Sequence, residues 1–130
     1  MGTDETYNKL SELTEGLLYI SEAESEFSLY EVEEGIDIDS FMEDVADQPR
    51  VSFKEENYTL FFDKVLAGLD VPDDVLQQMK GSYASLFEFI QANFTEIKVV
   101  ITGDTEKHIF IHCSSPESGD FLLHTSAVES

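Results

Sequence analysis

Residues 21 to 26 set three carboxylates and two hydroxyls, Ser21, Glu22, Glu24, Ser25 and Glu26, directly behind the apolar run Leu17, Leu18, Tyr19, Ile20. Oxygen groups in that density can hold a hard cation, share a proton as an acid pair, or face a basic partner. With 28 Asp and Glu in the chain, some carboxylates lie close together by chance, so proximity alone defines no acid pair. Asp37-Ile38-Asp39-Ser40-Phe41-Met42 copies the start of a calcium loop but puts Phe41 at the third ligand position and Met42 where a glycine must turn. It is rejected as an EF-hand. His108 and His112 are four apart on a strand pattern and so share a face, with Phe110 between them; a metal pair fits that geometry, although surface histidines are the simpler expectation. Cys113 alternates with Ile109 and Ile111, which points its thiol into the core, where it is a poor nucleophile. The GxSxG elbow, the Walker phosphate loop, the HExxH helix and the GxGxxG fingerprint are all missing, so neither an enzyme nor a cofactor is expected.

Charge narrows the partners. Against 28 acids the chain has 7 Lys and Arg, for a formal net charge of -21 at pH 7. Phosphate backbones and anionic membranes are repelled by such a surface, while a basic protein or a cation is drawn in from a distance. Residues 22 to 47 alone contain eleven acids and no Lys or Arg, which by default reads as a solvated face. The apolar fraction, 42%, with ten Phe and five Tyr, is nevertheless enough for a core. A single cysteine allows no intrachain disulfide, and no basic segment followed by an apolar stretch opens the chain; a cytoplasmic location is expected. Asn57-Tyr58-Thr59 and Asn93-Phe94-Thr95 match the glycosylation sequon and are read as chance.

The elements that must position these groups follow from hydrophobic period. Tyr7, Leu10, Leu13 and Leu17 predict a helix over residues 4 to 15, stopped by Gly16. Phe27 and Leu29 begin a short strand that continues to Val32, and Ile38, Phe41 and Met42 fit a short helix from about Asp39. Val51-Ser52-Phe53 reads as a strand, and Tyr58, Phe61, Phe62, Val65, Leu66 and Leu69 as a helix. Asp70-Val71-Pro72 predicts the start of the longest helix, with proline in its first turn and Leu76, Met79, Tyr83, Leu86, Phe87, Ile90 and Phe94 on one face. The period then shortens to two at Ile97 to Ile101, His108 to Cys113 and Phe121 to Leu123, three strands of an antiparallel meander. Helices ahead of such a sheet predict an α+β layered sandwich over residues 1 to 130 as one domain.

Gly16-Leu17-Leu18-Tyr19-Ile20-Ser21-Glu22-Ala23-Glu24, with Phe27 and a strand behind it, resembles the segment after the first helix in the nuclease A inhibitor family, where an aromatic residue, Met or Ile, and Ser-Glu come in the same order. Phe87-Glu88-Phe89-Ile90, the strand Ile97 to Ile101, the Gly103 turn and the ending Val128-Glu129-Ser130 are similar to the same family's final segment, which closes on Val-Glu and a small hydroxyl residue. The resemblance implies an α/β/α sandwich of the PR-1 type. It also implies a protein that binds a metal-dependent, sugar-nonspecific nuclease of DNA and RNA, with Glu22 at the centre of the interface, Glu24 and Glu129 as neighbouring acids, and Ser130 reaching toward the nuclease's catalytic magnesium. Val71 or a neighbour stands where the family carries an interface tryptophan, and this chain has no Trp. On this reading the acids mimic phosphate: a nuclease's cationic groove and metal attract an anionic protein as they attract substrate. Two other readings stay open, an interaction module of the same fold with a different basic partner, and a small enzyme or cation binder using acids the sequence does not single out.

Overall fold

A computed structural model describes residues 3–128. Its first helix, α1 (Thr3–Thr14), has Asp4 and Glu5 in the first turn, where carboxylates complement the helix dipole, and buries Leu10 completely. Gly16 follows at φ 72°, a left-handed conformation that costs glycine little. The acidic strip then folds as a β-hairpin, β1 (Leu18–Ile20) and β2 (Glu24–Glu26), where the hydrophobic period had placed no strand. After it come β3 (Ser28–Val32), α2 (Ile38–Ala46), β4 (Lys54–Glu56), α3 (Tyr58–Gly68), α4 (Asp74–Asn93), β5 (Glu96–Thr102), β6 (Glu106–Ser115) and β7 (Gly119–Val128).

The large sheet has the order β3-β7-β6-β5-β4 with every pairing antiparallel, and the last three strands form the expected meander. Gly103 makes the β5-β6 turn: a Cβ there would sit 2.1 Å from the Glu106 carbonyl oxygen, a clash no side chain survives. Alternation along the strands feeds two cores. Ile109, Ile111, Cys113, Phe121, Leu123 and Ala127 meet Leu10 of α1, Phe61 and Phe62 of α3 and the α4 face of Tyr83, Leu86, Phe87 and Ile90. On the opposite face Phe110 and Leu122 pack with Val32, Met42 and Ala46, so α2 covers that side. The chain is thus an α+β sandwich with helices on both faces of an antiparallel sheet.

Two boundaries differ from the sequence reading. Residues 50 to 52 form a single 3-10 turn instead of a strand, because the Pro49 carbonyl accepts both the backbone N–H of Ser52 at 3.0 Å and its hydroxyl at 2.8 Å. Strand pairing begins only at Lys54, opposite Ile101. The longest helix begins at Asp74 and not at Val71-Pro72, since Asp73 is its cap and accepts the Leu76 N–H at 3.0 Å. Val71, preceding a proline, is disfavoured in helix and stays in the turn.

Candidate functional site

The hairpin is fastened at its base and at its tip. At the base the Tyr83 hydroxyl donates to the Leu18 carbonyl at 2.8 Å, and burial, helped by Tyr19 nearby, pushes the phenol far above its usual pKa, so it remains a donor. Tyr19 lies parallel to Phe61, and Phe27 meets Tyr83 edge-on. At the tip the Ser21 hydroxyl donates to the Ala23 carbonyl at 3.1 Å while accepting the Val128 N–H at 2.9 Å. The Glu22 N–H donates in turn to the Val128 carbonyl at 3.0 Å. Along the side, Ser25 and Ser126 share a hydroxyl-hydroxyl bond of 2.8 Å, and the Thr125 hydroxyl donates to the Glu26 carbonyl at 3.1 Å.

That fastening decides which sequence-predicted residues meet. Glu22 and Glu24 are exposed on the hairpin, and Val128, hydrogen-bonded to the tip, leads into the chain end. Glu129 and Ser130 lie outside the described residues. Val71 sits in the turn between α3 and α4, 38% exposed, with its carbonyl held by the Asp73 N–H at 2.8 Å and the Gln77 side-chain amide at 2.7 Å. Across from that turn, Leu69 and Leu76 border a pocket that Ile20 of β1 also borders.

The remaining candidates are built into the scaffold. Asp37 caps α2, one carboxylate oxygen accepting the Asp39 N–H and the other the Ser40 hydroxyl, each at 3.1 Å, so the false calcium loop is a helix start. Asn57 caps α3 through its side-chain oxygen, and Asn93 donates to the Phe89 carbonyl. Cys113 is fully buried and desolvation raises its pKa well above the usual thiol value. His108 and His112 share a face as expected but do not pair with each other: His112 lies 3.3 Å from the Asp120 carboxylate, and His108 Nδ1 lies 2.9 Å from Nε2 of His124. Desolvation first, and then His108, lowers the His124 pKa to about 4. His124 escaped the sequence reading because the contact is diagonal; His108 stands opposite Ser126 and His124 opposite Phe110, a register set by the β6-β7 turn. Among the described residues no group of three His, Cys, Asp or Glu could hold a metal ion, and no helix is long and apolar enough to cross a membrane.

The arrangement offers carboxylates on a rigid edge and, among the described residues, no cluster of three His, Cys, Asp or Glu that could hold a metal ion. Residues 4–130 match the family described as nuclease A inhibitor-like protein. A search of curated proteins finds no match.

Proposed function

Because the chain belongs to the nuclease A inhibitor-like family, we propose that it binds a basic, sugar-nonspecific, metal-dependent nuclease and covers that enzyme's active site with the hairpin tip and the chain end. Glu22 and Glu24 meet the cationic groove, Glu129 adds charge, and Ser130 reaches toward the nuclease's metal. The observation that carries this reading is the pair of hydrogen bonds joining Ser21 and Glu22 to Val128, which hold the acidic tip against the residue that precedes 129 and 130 in the sequence. Two groups that must act on one target have to be held together, and an ordered tip loses less conformational entropy on binding. No catalysis by the chain itself is needed for this role.

A second reading has its own support. The chain has no Trp, and the resemblance puts Val71, small and only partly exposed, or a neighbour where the family has an aromatic anchor; aromatic anchors dominate many interfaces. It makes the chain an acidic module of the same fold with a different basic partner and no nuclease inhibition.

The deciding experiment is digestion of plasmid DNA by a magnesium-dependent, sugar-nonspecific nuclease with the intact chain, with Glu22→Ala and with a form lacking Ser130. Stoichiometric inhibition by the intact chain is expected, with each variant weakened by about 2–5 kcal/mol if its group sits in a buried charged contact. No inhibition by the intact chain at micromolar concentration would favour the second reading.

A further inference from the structure

Beneath β1, between α3 and α4, lies an apolar pocket of about 160 Å³. Leu18, Tyr19 and Ile20 of β1, Lys64 and Val65 of α3, and Leu76 and Tyr83 of α4 line it. Ile20 is 41% exposed, and Val71 and Val75 in the adjoining turn and helix start are 38% and 66% exposed. An apolar concavity with exposed apolar neighbours marks a binding surface. Small-molecule sites generally run to roughly 300–1,000 Å³, so this volume suits one side chain rather than a cofactor.

The occupant is fixed by what stands beside it. Ile20 is two residues from Glu22, so the pocket lies beside the hairpin tip. Asp70, Asp73 and Asp74 follow in the turn and first residue of α4. Lys64, which lines the pocket, pairs with Glu56 at 3.3 Å and Lys80 pairs with Asp70 at 3.2 Å, so those charges offset one another and Asp73 and Asp74 make the net charge beside the pocket negative. The partner is therefore cationic with an apolar side chain projecting from it. The chain has no tryptophan to project as its own anchor, and here the complementarity runs the other way, with the socket on this protein.

We infer that this pocket receives an apolar side chain from the rim of the nuclease's cationic groove, a step that rests on the function proposed above. Gly68, the last residue of α3, borders the pocket, and a Cβ there meets no atom within 4 Å. Gly68→Leu therefore adds a bulky apolar group at the pocket's border with no clash at its Cβ, and Gly68→Ala adds only a methyl. Affinity for a magnesium-dependent, sugar-nonspecific nuclease is measured by calorimetry for the parent, both Gly68 variants and Ile20→Ser. Gly68→Leu and Ile20→Ser should each bind roughly tenfold or more weakly, with Gly68→Ala close to the parent. Should Gly68→Leu fail to fold, Ile20→Ser decides alone, because that position is already exposed. If the parent binds and the folded variants bind equally well, the pocket assignment is overturned and the proposed function stands. If the parent does not bind the nuclease, both fall together.

Discussion

Ser21 shows at the residue scale what the sequence could not disclose. Its type and place beside Glu22 are legible, but its oxygen joins a residue 107 positions away, and no local pattern announces that contact. His124 was hidden for the same reason, since its partner is assigned by register across a turn. Cys113 was legible because a single strand's alternation suffices to place it. His124 yields a pH prediction. Its folded pKa, about 4, lies below the ordinary value of 6.5, so between those values the unfolded chain binds the proton and the folded chain does not. The stabilising contribution of neutral His124 is complete above pH 6.5 and is lost as pH falls toward 4. Partial exposure reduces the effect, leaving about 1–2 kcal/mol. Other groups, including the many carboxylates, titrate over the same range, so the parent must be compared with His124→Gln, which keeps a polar atom near Nε2 and does not titrate. In urea, the stability advantage of the parent over His124→Gln should shrink by that amount between pH 7 and pH 4.5; a constant difference would show that His124 is protonated alike in both states.

Elements were legible in proportion to the length of their pattern. The α4 face from Leu76 to Phe94 repeats over five turns, and Tyr83, Leu86, Phe87 and Ile90 are buried as that repeat demands. β7 was read only at Phe121 to Leu123 because His124, Thr125 and Ser126 interrupt its apolar run, yet it continues to Val128: Thr125 is buried with its hydroxyl satisfied by the hairpin. The β1-β2 hairpin was illegible because exposed glutamates in β2 carry no strand signal, and its stability comes from Tyr83 and β7 behind it. Helix starts depended on which of several adjacent acids caps. At α4 the cap is Asp73, and Asp73→Ala removes the acceptor for the Leu76 N–H. That change should cost about 1 kcal/mol, seen as a melting temperature lower by about 3–5 °C. Asp73→Asn, which keeps the side-chain oxygen, should lose much less. Equal losses in both would assign the effect to charge at the helix dipole instead of to the hydrogen bond.

At the scale of the whole molecule, the layered α+β arrangement was readable from the order of periods, helical and then alternating, whereas the second core under α2 had to be seen, because its strand residues Phe110 and Leu122 lie within continuous apolar runs that do not reveal a two-sided sheet. The net charge of -21 acts at this scale too. The Debye length falls from about 20 Å near 0.02 M salt to about 6 Å near 0.3 M, so under the proposed function distant carboxylates would steer an approaching basic nuclease at low salt and cease to matter at high salt. The short contacts proposed for Glu22 and the pocket would exclude solvent and be screened far less. The two contributions separate kinetically. Across that salt range the association rate with the nuclease should fall by roughly tenfold or more while the dissociation rate changes by less than about twofold. Stopped-flow mixing measures the first and displacement by excess unlabelled chain the second. Neutralising Asp39, Asp44 and Asp47 together, far along the chain from the hairpin, should lower association and leave dissociation unaltered, as removal of a long-range field requires. A dissociation rate that rises steeply with salt would instead mean that the anionic surface grips the partner directly, and that the interface extends from the hairpin onto α2.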